Sequence, residues 1–79
     1  MEKLAIRLKE LREERGLSQM AAGTALGVSR STIAGYETKG REPDVHMLIT
    51  MADFYDVSMD YLVGRKDENN IIDKSEKIN

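Results

Sequence analysis

Apolar residues recur at helical spacing near the start of the chain. Leu4, Leu8 and Leu11 follow one another at intervals of four and three, with Lys, Arg and Glu between them. This spacing places the three leucines on one face of a helix, which we predict over residues 3–15. Gly16 follows, and glycine readily adopts the left-handed conformation that ends many helices.

Two short helices separated by a tight turn are predicted next. Ser18 is a suitable N-cap for a helix over residues 19–26, which is rich in small side chains. Gly27 can end that helix, because glycine adopts the backbone conformations in which a chain reverses. Ser29 can cap the following helix, predicted over residues 30–38.

The two faces of the helix over residues 30–38 differ in character. Ile33 and Tyr36 lie on one side, so we expect them to be buried against the preceding helix. That helix offers the small residues Ala22, Gly23 and Ala25, which allow a close approach. The opposite side is expected to face outward and comprises Arg30, Ser31, Ala34 and Gly35.

The rest of the chain predicts a loop, two more helices and a tail. Residues 39–43 contain turn residues and a proline, which favours a loop. An apolar stripe predicts a helix over residues 44–55, and a last short helix begins after Ser58 and stops at Gly64. No segment of residues 1–64 alternates with a period of two, so we predict an all-α fold, a compact five-helix bundle.

Residues 65–79 are expected to form a polar C-terminal tail outside the domain of residues 1–64. The tail contains Ile71, Ile72 and Ile78 and little else that is apolar, too little to bury a separate core. A mobile tail is one interpretation. The alternative is a helix that packs against a partner chain through these isoleucines.

Charge divides the chain into a basic first part and an acidic second part. Residues 1–43 carry eight Lys/Arg against six Glu, whereas residues 44–79 carry four Lys/Arg against eight Asp/Glu. The first part can therefore face a polyanion although the net charge of the chain is −2. With no cysteine, no apolar run of membrane-spanning length and no secretory leader, a cytoplasmic protein without contact to a membrane is expected.

Two short helices joined by a glycine-containing turn are the pattern of a helix-turn-helix. The strings LKELREERGLSQ, LGVSRSTIAGYE, GREP and VSMDYLVG occur in order within residues 4–64. With them the chain resembles the phage-repressor and Cro family, also called the XRE type. The resemblance implies a transcriptional regulator, in the first instance a repressor, whose third helix enters the major groove of double-stranded operator DNA.

Carried over residue by residue, the resemblance implies two sets of DNA contacts. Arg30 and Ser31 would read base edges, and Gly35 occupies a further reading position at which many relatives have a long polar side chain. The implied phosphate contacts are Gln19, Ser29, Thr32, Lys39 and Arg41. Of these, Gln19 would also brace the third helix, and Ser29 and Thr32 would reach phosphate or a base edge.

The sequence departs from the family pattern in both helices of the motif. Ala22 and Gly23 stand where leucine and alanine are usual, so we expect a looser helix pair than in relatives. Ala34 and Gly35 stand where longer side chains are frequent, so we expect few base contacts, with Arg30 the main reader.

A homodimer is expected, because one recognition helix covers only a few base pairs. Met59, Tyr61 and Val63 of the last helix, with Ile71 and Ile72, are the predicted contact. Three alternatives stay open: an antitoxin, a restriction-control protein, and an interaction module of the same fold that has lost DNA binding.

No catalytic site is predicted. Glu10, Glu13 and Glu14 lie among basic residues on a helix face that we expect to be solvated, and Arg12 is expected on the same exposed face. The lone His46 has no cysteine or histidine partner for a metal, so no metal site, cofactor or small-molecule site is predicted.

Overall fold

The computed structural model describes residues 2–67, which form five helices and no strand. The helices are α1 (Glu2–Glu14), α2 (Gln19–Leu26), α3 (Arg30–Thr38), α4 (Val45–Tyr55) and α5 (Met59–Leu62). The predicted all-α five-helix bundle is confirmed. The predicted helices over 19–26 and 30–38 agree with α2 and α3, and the first predicted helix is shifted by one residue.

Side-chain caps explain why the helix starts could be read from the sequence. Ser18, Ser29 and Ser58 each precede a helix in extended conformation, and each side-chain oxygen accepts a hydrogen bond from a backbone N–H of the first turn. Asp44 does the same for α4, with Oδ1 accepting from the N–H of Met47 at 2.8 Å. Asp44 is therefore the cap of α4 rather than its first residue.

One hydrophobic core joins all five helices. The side chains of Tyr55, Met51 and Leu62 are almost completely inaccessible and lie at its centre. The leucine stripe of α1 packs into the same core, as do Ile33 and Tyr36 of α3. Burial of this one core fixes the orientation of α3 relative to the rest of the molecule.

The segment after α5 returns to the start of α1. Arg7 donates hydrogen bonds to the carbonyl oxygens of Tyr61 and Lys66, the latter at 2.7 Å. Lys3 Nζ lies 3.4 Å from Oδ1 of Asp67. These contacts continue past residue 64, the predicted end of the domain. Ile71, Ile72 and Ile78 lie outside the described residues, as does the rest of the predicted tail from residue 68.

No helix among residues 2–67 is both long enough and apolar enough to span a bilayer.

Candidate nucleic-acid interface

The turn between α2 and α3 is closed by backbone hydrogen bonds. Gly27 ends α2 in the left-handed conformation, with φ of 79°, and its N–H donates to the carbonyl oxygens of Gly23 and Thr24. The N–H of Val28 donates to the Gly23 carbonyl at 2.9 Å. Ser29 then caps α3. This tight turn sets the angle at which α3 leaves α2.

Gly23 is required by the closeness of this turn. A Cβ atom at this position would lie 2.6 Å from the carbonyl oxygen of Val28 and 3.3 Å from backbone atoms of Ser29. Ala22 beside it is completely buried. Ala22 and Gly23 therefore mark close packing, whereas Ala25, which was expected to join them, is exposed. The expectation of a looser helix pair is wrong, because backbone fills the space that larger side chains would need.

The N-terminal half of α3 presents its polar side chains to solvent. Arg30 and Ser31 are exposed, as predicted. The Ser29 hydroxyl accepts a hydrogen bond from the N–H of Thr32 at 3.1 Å. The same hydroxyl lies 3.1 Å from that of Ser31 and 2.9 Å from that of Thr32. Three hydroxyl groups and a guanidinium thus stand at the positive end of the helix dipole, an arrangement that favours an anionic ligand.

Gly35 is buried, which corrects the prediction that it faces outward. A Cβ at this position would lie 3.3 Å from Cδ of Arg41 and 3.5 Å from Cβ of Arg41. The aliphatic part of the Arg41 side chain therefore covers Gly35. The predicted base contact at Gly35 is not available to a residue covered in this way, whereas Ala34 remains half-exposed.

The loop after α3 folds back onto the helix end. The N–H groups of Lys39 and Arg41 both donate to the carbonyl oxygen of Gly35 at 3.1 Å. Gly40 between them has φ of 72°, which allows the chain to turn at this point. Pro43 is buried and anchors the far end of the loop. Lys39 and Arg41 are exposed and stand beside the C-terminal end of α3, next to the predicted reading face.

A buried ion pair connects α3 to α1. Arg12 Nε lies 2.8 Å from Oε2 of Glu37, and Arg12 Nη2 lies 3.0 Å from Oε1. The guanidinium also donates to the Leu17 carbonyl at 2.7 Å. Gln19 Nε2 donates to Oε1 of Glu37 at 3.3 Å, so Gln19 braces α3 as predicted. Arg12 was predicted to be exposed, and this is wrong because the leucine stripe of α1 carries it inward.

The Arg12–Glu37 pair also determines the charge of the site. Glu37 is the only acidic residue of α3, and its carboxylate is buried and neutralised, so α3 presents no negative charge to an anionic ligand. The hydrogen bonds that Arg12 donates to the Glu37 carboxylate raise the pKa of Arg12. Burial raises the pKa of the neighbouring Tyr55, and the negative charge of Glu37 adds to this effect.

The residues predicted for a dimer contact are not equivalent. Met59 is exposed, but the ring of Tyr61 lies under the guanidinium of Arg7, 4.1 Å from Arg7 Cζ to the ring centroid. Val63 packs against the core. Tyr61 and Val63 are therefore engaged in contacts within the chain, whereas Met59 exposes an apolar side chain to solvent.

An apolar surface that the sequence analysis missed lies on α4. Val45 and Ile49, one helical turn apart, are 66% and 47% exposed. Ile49 and Met59 line one groove together with Val57 at the junction of α4 and α5. Val45 is the first member of the apolar stripe that predicted α4, and its exposure corrects that assignment, whereas the other members of the stripe are buried: Leu48, Met51, Ala52 and Tyr55.

The other polar residues considered for chemistry are exposed. Glu10, Glu13 and Glu14 lie on the solvent side of α1, and His46 lies on that of α4. Within residues 2–67 no group of three or more His, Cys, Asp or Glu side chains is arranged to hold a metal ion.

Comparison with known proteins agrees with this geometry. A family model described as helix-turn-helix matches residues 8–62, which include all of α2, α3 and the loop after them. In fold, the chain is similar to the P22 c2 repressor in its complex with a synthetic operator, with a TM-score of 0.70 and 29% sequence identity. The superposition covers 75% of this chain and 89% of that chain.

Two curated relatives come from Bacillus subtilis (strain 168). The HTH-type transcriptional regulator ImmR is 34% identical over 77 residues, which are 91% of this chain and 61% of the relative. The HTH-type transcriptional regulator AnsR is 40% identical over 60 residues, or 76% of this chain and 52% of the relative. The chain thus spans between half and two thirds of the length of these relatives. With the family model matching more than half of the sequence, the chain belongs to the phage-repressor, or XRE, type of helix-turn-helix transcriptional regulators.

Proposed function

We propose that this chain is a sequence-specific double-stranded DNA-binding regulator, acting as a repressor, which reads the major groove with α3. One observation carries the proposal. The N-terminal half of α3 exposes Arg30 and Ser31. The only carboxylate of the whole helix, that of Glu37, is buried and paired with Arg12. A rigid helix with donors outward and no exposed acid suits the major groove, which is lined by acceptor atoms and flanked by phosphates.

The side chains divide into proposed readers and proposed phosphate contacts. Arg30 and Ser31 would contact base edges, Arg30 through a bidentate pair with guanine. Ser29, Thr32 and Lys39 would contact phosphates around them. Gln19 would also reach a phosphate, because its amide has two N–H donors and the hydrogen bond to Glu37 uses one of them.

The proposed assembly on DNA is a homodimer of this chain. The nine residues of α3 cover only a few base pairs, so a genomic site needs a second half-site about one helical turn of DNA away. The groove lined by Ile49, Val57 and Met59 is the proposed contact, since its exposed apolar residues lie together. So small a patch supports a weak dimer that forms mainly on DNA.

A cytoplasmic location stays a prediction.

The experiment that tests this function begins with selection of bound oligonucleotides from a random duplex pool. Affinity for the selected site and for random DNA is then measured by fluorescence anisotropy over a range of salt concentrations. A DNA-binding regulator gives a selected site with internal symmetry, and log Kd rises linearly with log salt concentration.

Three alanine variants separate the roles. Arg30→Ala should weaken binding to the selected site by about 1–3 kcal/mol and relax the preference at one base pair in each half-site. Lys39→Ala should weaken binding to selected and random DNA equally and reduce the salt slope by about 1. Arg65→Ala removes the same charge at an exposed position after α5 and should change neither. Binding that is independent of salt, or a pool without an enriched sequence, would refute the proposed function and favour a protein-interaction module.

A further inference from the structure

We propose that Arg41, a residue of the loop after α3, is a base-reading residue that replaces the side chain α3 lacks at Gly35. The inference rests on the proposed function and assigns Arg41 to specificity rather than to the phosphate clamp that the family resemblance implies. Its consequence is that the sequence read by this protein depends on a residue outside the recognition helix.

The Arg41 side chain is laid along α3 at the position of Gly35. Its Cδ and Cβ come to 3.3 Å and 3.5 Å of the point where a Cβ of residue 35 would lie. Its own N–H donates to the Gly35 carbonyl at 3.1 Å, so the start of the side chain is tied to the helix. Backbone and side chain of Arg41 are thus both held against the same residue of α3.

The location of Gly35 on α3 determines which side of the helix the Arg41 side chain covers. Gly35 follows Ser31 by four residues, so the two lie one turn apart along the same side of the helix. Ser31 is exposed on the proposed reading face. An arginine that crosses the helix at Gly35 therefore lies between α3 and the base edges that this part of α3 would otherwise meet directly.

The arginine head group is free of the core and oriented. Arg41 is exposed, and its Cζ lies 5.8 Å from the centroid of the Tyr36 ring. The aromatic ring favours a guanidinium held near it, which limits the side-chain conformations available to Arg41. A planar, partly oriented guanidinium loses less freedom on forming the two parallel hydrogen bonds that read guanine. Lys39 and Arg41 therefore differ in expected role although both are basic and close in sequence.

The test is selection from a random duplex pool with the full chain and four variants, Arg41→Ala, Arg41→Lys, Gly35→Ala and Lys39→Ala. Arg41→Ala should lose the preference at one base pair of each half-site and bind the selected site about 5- to 150-fold more weakly, with a smaller effect on random DNA. The affected base pair should lie about two steps from the one that depends on Arg30, since five helical residues span about 7.5 Å and one step about 3.4 Å.

Two conservative variants separate reading from charge. Arg41→Lys keeps the charge but not the planar fork, so it should retain affinity for random DNA and still lose the preference. Gly35→Ala adds a Cβ under Arg41 without touching any DNA contact of its own, and should change the preference at the same base pair. Lys39→Ala should leave the whole preference unchanged. Circular dichroism on each variant verifies that the helices are intact.

Equal weakening of Arg41→Ala on selected and random DNA, with the selected sequence unchanged, would overturn the inference and show a phosphate contact. The same holds if Arg41→Lys selects the original site. In both cases the wild-type chain still selects a site, so the proposed function stands. A wild-type chain that enriches no sequence would instead remove the function itself.

Discussion

At the scale of single residues, the most consequential contact is the ion pair of Arg12 and Glu37. Both residues are 8% exposed and belong to different helices, and their hydrogen bonds include one from Gln19 and one to the Leu17 carbonyl. A buried charge without its partner is costly, since it has lost its hydration and gained nothing in return. Each of the two residues therefore depends on the other.

Glu37→Ala should destabilise the fold by about 3 kcal/mol, because it leaves the buried Arg12 guanidinium with only the exposed carboxylate of Glu13, 4.0 Å away, as a counter-charge. Urea unfolding followed by circular dichroism measures this change. The double variant Arg12→Met with Glu37→Leu should recover most of the loss, since apolar residues of similar size can replace a buried pair. A double variant no more stable than Glu37→Ala would show that the pair contributes through something other than mutual charge compensation.

Tyr55 gives the fold an alkaline limit. It is 2% exposed, and burial raises its pKa above that of the unfolded chain. The folded state then binds the phenol proton more tightly than the unfolded chain does. The contribution of Tyr55 to the free energy of unfolding is therefore intact below about pH 10, and it is lost as pH rises further. We expect the stability of Tyr55→Phe relative to wild type to increase above about pH 10 in urea titrations. A difference that is independent of pH would contradict this.

The exposure of Arg12 and Gly35 was predicted wrongly from the sequence, and for the same physical reason. Arg12 was expected in solvent because it stands among charged residues of α1, and its partner Glu37 is 25 positions away. Gly35 was expected in solvent because the helical period puts it beside Ser31, and Arg41 reaches it from a loop. Helical period and caps describe one helix at a time, whereas each of these contacts comes from another element: Glu37 from α3 and Arg41 from the loop after α3.

At the scale of elements, the predictions were better because helix ends are encoded locally. The serines before α2, α3 and α5 all cap as the sequence indicates, and Asp44 caps α4 one residue before the helix it was predicted to begin. Glycines inside helices are harder to interpret. Gly23 in α2 and Gly35 in α3 look alike in the sequence, yet one meets backbone and the other a side chain.

The two glycines give a matched pair of substitutions. Gly23→Ala should destabilise the fold by about 1–3 kcal/mol, because its Cβ would be 2.6 Å from the rigid Val28 carbonyl and overpacking outweighs improved helix propensity. Gly35→Ala should be neutral or gain up to about 1 kcal/mol, because the arginine side chain above it can shift. Thermal unfolding of both variants measures the contrast. Equal effects of the two substitutions would mean that propensity alone governs both sites.

At the scale of the whole molecule, positive and negative charges lie on different elements, as they lie in different parts of the sequence. The exposed cations Arg30, Lys39 and Arg41 belong to α3 and the loop after it, while Asp53 and Asp60 border the groove at the junction of α4 and α5. The cations of α3 and its loop favour an anionic ligand there, whereas the two aspartates disfavour one at the groove.

Two exposed isoleucines make the pairing testable. Ile49→Glu places a charge in the proposed contact, and it should weaken dimer formation about tenfold or more because an unpaired charge is costly to bury. Ile6→Glu is the control, since Ile6 is 56% exposed on α1 and does not line the groove. Sedimentation equilibrium with and without the selected duplex measures both. A one-to-one complex on a symmetric duplex at saturating protein would rule the dimer out.

Lys3 and Arg7 hold the segment after α5 next to the start of α1. The same arrangement of helices could therefore form from a circularly permuted chain, in which the helices follow one another in a different order. Lys3 Nζ and Asp67 Oδ1 form an ion pair of 3.4 Å, so in a protein cut back to residues 2–67 a linker of a few residues, each spanning about 3.5 Å, would connect the two ends. The chain can then be opened elsewhere. Gly16, where an added Cβ meets nothing within 4 Å, lies in a suitable exposed turn. A permuted protein that starts there would carry its recognition motif first and α1 last, with the same core.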